Sequence, residues 1–175
     1  MRADAGAALW TSTALRAPWL DGLMGFVSGL PASLLICGGW LATARARQRG
    51  LLALTLLALL AISDAAARLG QTLIERPRPC VSLPPALAVA PCPDRPSFPS
   101  AHATSVAAWA ALATVCDRRR WPLWVGVGLL VGISRIYLGV HYPLDVLGGG
   151  ALGLALGTIA GLLTRGRLGP APAVV

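Results

Sequence analysis

With 175 residues, 55% hydrophobic and only 13% charged, at a mean hydropathy of +0.67, the chain is too apolar for a soluble domain. It fits a single membrane-embedded domain, residues 1–175. Its 15 basic residues are all arginine and give a net charge of +8, yet no basic stripe interleaved with aromatics is present, which argues against nucleic acid.

Residues 1–20 hold Arg2, Asp4 and Arg16 around a mildly apolar patch. The lack of a basic n-region argues against a cleaved signal peptide, and a short interfacial helix anchored by Trp10 and Trp19 is expected. The stretch 22–43 is uncharged and at 1.5 Å per residue reaches about 33 Å, enough to cross a bilayer with a kink at Pro31. Arg45, Arg47 and Arg49 follow at once.

A second span, 51–74, carries Asp64 and Arg68 as an i,i+4 pair, which is either a structural ion pair near the interface or a functional one. The stretch 75–99 is dense in proline and reads as an ordered loop. A short third span, 101–116, starts after Ser100, a good N-cap, with His102 in its first turn, and Arg118, Arg119 and Arg120 close it. The fourth span covers 121–133, and 143–164 is the fifth. Gly149, Gly153, Gly157 and Gly161 make the fifth a small-residue ridge for close helix packing. A loose tail, 168–175, is expected.

Eight arginines lie in 44–50, 117–120 and 165–167, segments that alternate with the two histidine-bearing loops. The positive-inside rule makes those turns cytoplasmic and turns both histidines outward, with the N-terminus outside and the C-terminus inside. Cys80 and Cys92 then share an oxidising compartment if the host has a periplasm, where a disulfide would gain roughly 3 kcal/mol. Cys37 and Cys116 read as packing residues.

The fold expected is therefore an all-α, polytopic membrane helix bundle of about five transmembrane helices plus the N-terminal interfacial helix. On the outward face three segments converge, bearing Arg76 and Arg78, Ser100 and His102, and Arg135, His141 and Asp145. Arginines, a helix N-terminus and a hydroxyl suit a phosphate. If a helix begins at Pro143, Asp145 lies in its first turn near His141, and a carboxylate that accepts the Nδ1 proton leaves Nε2 as a free lone pair.

Ser134-Arg135-x5-His141-x3-Asp145, Pro99-Ser100-Ala101-His102 and Arg78-Pro79 resemble the three separated motifs of the type 2 phosphatidic acid phosphatase (PAP2) superfamily of membrane lipid phosphatases. The resemblance runs over about 20–165. It departs from the family pattern at Ala101, where the family has glycine, and at Gln71, where it has lysine. Arg68, three residues earlier, is a candidate for the missing charge.

By this resemblance His141 is a nucleophile that forms a phosphohistidine, Asp145 orients it, and His102 is the acid and then the base. Arg78, Ser100, the Ala101 amide and Arg135 bind phosphate, with Gln71 and Arg68 as further phosphate-site positions. The resemblance implies a hydrolase with no metal and no other cofactor, in a bacterial inner membrane with its site facing the periplasm or outside. Its partners are membrane lipids and a lipid phosphate substrate, with room for a homo-oligomer. Undecaprenyl pyrophosphate or a related phospholipid phosphate is the leading substrate. Lipid A 1-phosphate, phosphotransfer to an acceptor lipid, and an inactive lipid-binding or transport relative are the alternatives. A different class, an iron site on two histidines and an aspartate, is opposed by the neighbouring Arg78 and Arg135.

Overall fold

The computed structural model of the protein describes residues 2–83 and 88–168. It is an all-α bundle: α1 (Arg2–Ala14), α2 (Pro18–Val27), α3 (Leu30–Thr43), α4 (Ala46–Ile74), the single turn α5 (Pro79–Ser82), α6 (Ala101–Cys116), α7 (Trp121–Tyr137) and α8 (Pro143–Leu168). A 3₁₀ turn, Arg118–Arg120, joins α6 to α7. The tail beyond Leu168 lies outside the described residues.

The stretch expected as one kinked span is two helices. Pro31 falls in the first turn of α3, where a missing N–H costs nothing, so the chain breaks at Ser28 and Gly29 and α2 and α3 meet at 51°. By length and composition two segments of the described residues can cross a bilayer, Ala46–Ser82 and Pro143–Leu168, and a third if the bent pair is one span. The five expected spans are present as helices, but α6 has only 16 residues and α7 17, about 24 and 26 Å long. The outward-facing leucines and isoleucines of α4 and α8, among them Leu54, Leu57, Leu69, Leu147, Leu154 and Ile159, are exposed as a lipid-facing surface requires.

The most extensive helix contact is between α6 and α8, and the glycine ridge makes it. A Cβ on Gly153 would lie 2.1 Å from the Thr104 carbonyl oxygen, and one on Gly157 2.0 Å from that of Ala108. Only glycine permits backbones this close. Away from the site, Trp40, Trp109 and Trp124 stack edge to face, with centroids 6.5 and 5.5 Å apart, over Leu52, Leu56, Leu59 and Leu112.

The two ends of the bundle differ. Gln48 Nε2 donates to the Leu168 carbonyl, and Arg49 donates to the carbonyls of Ala42 and Ala44, so the 44–50 turn and the end of α8 share one end. The start of α6, the start of α8 and the 76–99 loop meet at the other. The N-terminal helix is present but ends at Ala14, so of the two exposed tryptophans expected to anchor it Trp10 lies on α1 and Trp19 on α2; α1 also packs on α7 and α8 and buries Asp4.

Candidate active site

The site is built where α4 stops. Glu75 takes a left-handed conformation (φ 48°) and turns the chain out of the helix into Arg76-Pro77-Arg78-Pro79. The loop that follows is closed by a disulfide between Cys80 and Cys92, the pairing expected from the sequence. It returns under Arg78, whose Nε donates to the Arg95 carbonyl (2.6 Å) and Nη2 to that of Pro96 (3.2 Å). Nη1 donates to the Val140 carbonyl at 2.9 Å and lies 3.0 Å from His141 Nε2. The guanidinium is thus aimed by three carbonyls, and its remaining direction is toward the histidine.

That last contact settles the tautomer. Arginine has no acceptor, so Nε2 must present its lone pair and the ring proton sits on Nδ1. Nδ1 faces Asp145 Oδ2 at 3.5 Å, longer than a hydrogen bond, and makes none. Asp145 is buried in the first turn of α8 and held from two sides. Oδ2 accepts the Tyr142 amide (2.8 Å) and Oδ1 accepts Arg76 Nη1 (2.6 Å). Burial pushes the His141 ring below its ordinary range. The Asp145 carboxylate opposes that shift, and the Arg78 and Arg135 charges add to it. The ring is neutral at pH 7, with the lone pair of Nε2 beside a cation. The same cation stands where a metal would need that lone pair.

The second histidine arrives on α6. Ser100 is its N-cap: Oγ accepts the Ala103 amide, and its own amide donates to the Asp145 carbonyl at 3.0 Å. This bond ties the first turns of α6 and α8 together. His102 opens into a cavity of about 360 Å³ between α3, α4, α6 and α7, lined by Ile36, Leu60, Asp64, Val106, Trp109 and Val131. Arg135, near the end of α7, is buried. Its Nη1 donates to Ser28 Oγ (3.1 Å) at the break between α2 and α3, and its Nε has no protein partner.

Two candidates stand apart. Arg68 is half-exposed and bonded to Asp64 one turn back, an acid that lines the cavity beside His102. Gln71 is buried, and its Nε2 donates to the Pro99 carbonyl (3.0 Å), so it holds the backbone that leads into Ser100. Arg76, grouped with Arg78 as an anion binder, is engaged by carboxylates instead, those of Asp145 and Asp4. Asp4 and Ser28 carry no motif. Their signal was only a carboxylate in an apolar helix and a hydroxyl at a break.

Residues 52–167 match the PAP2 superfamily. The chain belongs to that superfamily. It is 43% identical over 107 residues to a decaprenylphosphoryl-5-phosphoribose phosphatase of Mycobacterium tuberculosis, a match covering 61% of this chain and 58% of the relative. An undecaprenyl-diphosphatase of Sulfolobus acidocaldarius is 32% identical over 142 residues, 77% of this chain and 66% of that one. The match thus spans about three fifths of the mycobacterial relative's length. Among solved structures, the PAP2-type phosphatidylglycerolphosphate phosphatase of Bacillus subtilis has a TM-score of 0.70 at 26% identity, covering 95% of this chain and 84% of that one. Aquifex aeolicus LpxE superposes with a TM-score of 0.71 at 23% identity over 86% and 90%, a likeness of fold. The PAP2 match includes the ridge-bearing α8 and every motif residue from Arg78 to Asp145.

Proposed function

We propose that this PAP2 protein is a lipid phosphatase that transfers phosphate through His141, with its site on the periplasmic or outer face of a bacterial inner membrane. The observation that carries the reading is the contact of Arg78 Nη1 with His141 Nε2, which holds a neutral nucleophile beside a phosphate-binding cation. His141 Nε2 forms a bond to phosphorus as the bond from phosphorus to the lipid oxygen breaks. His102 gives that oxygen a proton. Water then attacks phosphorus, its proton passes to His102, phosphate leaves and Nε2 regains its lone pair. Arg78, Arg135, the Ser100 hydroxyl and the Ala101 amide at the start of α6 stabilise the equatorial oxygens as charge develops. The unpartnered, buried Arg135 Nε is a donor suited to one of them. No step calls for a metal or another cofactor.

A polyprenyl-linked phosphate or diphosphate is the substrate class we favour. The apolar cavity beside His102 suits a hydrocarbon chain, and two relatives are named for decaprenyl and undecaprenyl phosphates. The deciding experiment is phosphate release by purified, detergent-solubilised protein from undecaprenyl diphosphate, decaprenylphosphoryl-5-phosphoribose, phosphatidylglycerol phosphate and lipid A, with an acid-labile, base-stable phosphoryl adduct trapped on His141. His102→Ala should slow adduct formation far more with a monoester, whose alkoxide needs a proton, than with a diphosphate. No turnover on any of the four, or an adduct that survives His141→Ala, would overturn the proposal.

A further inference from the structure

Asp4 is the one acid of α1, and its side chain is buried at 4% exposure. A buried carboxylate is tolerated only when paired and hydrogen-bonded, and both its oxygens are used. Oδ1 accepts the amide of Leu144, in the first turn of α8 (3.0 Å), and Oδ2 accepts Arg76 Nη2. Arg76 passes its other terminal nitrogen to Asp145 Oδ1 while its guanidinium lies 4.1 Å over the Tyr142 ring. Asp4, Arg76 and Asp145 therefore form one chain of charge that ends 3.5 Å from His141 Nδ1.

The charge count shows what the first member adds. Arg76 alone would fix the Asp145 rotamer but cancel its charge, leaving the pair neutral toward the imidazole. With Asp4 the trio carries one net negative charge, so Asp145 is held without being neutralised. Phosphorylation of Nε2 leaves Nδ1–H in place and makes the ring more positive, so the negative charge acts when the intermediate forms. A plain structural tie between α1 and α8 would account for the Leu144 amide and, because Asp4 is buried, for some counter-charge. The counter-charge it meets is the arginine that holds Asp145, and that link is testable.

We propose that Asp4 is a positioning residue for the nucleophile, acting through Arg76 on Asp145, and that α1 is by this contact a working part of the active site. The proposal rests on His141 being the nucleophile. Asp4→Asn should slow single-turnover formation of the phosphohistidine by about 10–100-fold, with KM within about twofold of the parent. Asp4→Glu should recover part of the loss. In an Arg76→Gln background the same Asp4→Asn change should cost less than about twofold, because the route to Asp145 is already cut.

The ¹⁵N spectrum of the two histidine rings, assigned through a His102→Gln variant, needs no substrate. The parent should show His141 as the Nδ1–H tautomer, and Asp4→Asn should shift the His141 ring resonances or mix the tautomers. Asp4→Ser keeps an acceptor for the Leu144 amide without charge. It should behave as Asp4→Asn does and carries the test if that variant does not fold. An unchanged spectrum and rate in the charge-removing variants would overturn the proposal, as would an equal loss in the Arg76→Gln background. Absence of any phosphohistidine in the parent would instead sink the functional reading, and the spectra would still judge Asp4.

Discussion

Gly157→Ala tests whether the glycine ridge sets the geometry of the site. Gly157 lies 12 residues after Asp145, about 18 Å along α8, and touches no site residue. A Cβ there would sit 2.0 Å from the Ala108 carbonyl oxygen, whereas ordinary contact begins at 3.4 Å, so α6 and α8 must part by about 1.4 Å. Overpacking of this kind costs roughly 1–3 kcal/mol. The site end cannot stay still, because the Ser100 amide is bonded to the Asp145 carbonyl across the same pair of helices. Misplacing reacting groups by 1 Å can cost about 10²-fold. The expected result is a kcat lowered by up to about 10²-fold on the best substrate of the panel, with a lower Tm in detergent. Gly153→Ala, with its clash at 2.1 Å and nearer the site, should lose more. Gly150→Ala, whose Cβ would meet nothing within 4 Å, should be close to neutral. A Gly157→Ala protein with unchanged kcat and Tm would refute the reasoning.

Arg68→Ala should change stability by under about 1 kcal/mol and activity by less than about threefold, since its partner is Asp64 and both are nearly half-exposed. A loss of phosphate binding measured by KM would put Arg68 back in the site. Cys92→Ser should lower kcat at least as much as it raises KM, because the Cys80–Cys92 bond closes the loop whose Arg95 and Pro96 carbonyls aim Arg78, which acts as charge develops. The same variant should lose roughly 3 kcal/mol of stability in denaturant titrations. Folding lowers the His141 pKa below 6.5, so the unfolded chain binds the extra proton. The stability from the neutral ring is then complete above pH 6.5 and is lost as pH falls below it. Thermal melts from pH 7 down to 5 should show Tm falling, and falling less steeply in His141→Gln.

The parts that were legible in the sequence are those fixed by neighbours a few residues away. Asp145 follows Pro143 into the first turn of a helix, Ser100 caps α6, and the four-residue spacing of glycines can only produce a ridge on one face. Each is a local rule acting over at most one or two turns. What the sequence left open has the same origin read backwards. Gln71 and Arg68 share a helix and a motif position, yet one reaches Pro99 and the other falls back on Asp64, and no local rule decides between those partners. The chain breaks at Ser28 and does not kink at Pro31, because a proline bends a helix it interrupts but simply starts one whose first turn it occupies.

Charges posed a harder problem than shape, for a physical reason. In a chain with 15 arginines and 7 acids, most acids have several arginines to choose from, and the choice is made by where the fold brings them. Depth of burial does not decide it, since Arg78 is buried and meets no carboxylate while the less buried Arg76 meets two. Arg76 and Arg78 stand two residues apart with identical chemistry, and a regular extended stretch would turn both to one face, yet here their partners differ. Arg76 runs into Asp145 and Asp4, while Arg78 meets only carbonyls and a neutral imidazole. Of the two, Arg78 is the one with no carboxylate bonded to it, and a buried cation beside a lone pair suits a phosphate. The division of labour within this Arg-Pro-Arg-Pro segment turns on Asp145 and Asp4, both far from it in sequence, so the segment alone does not show it.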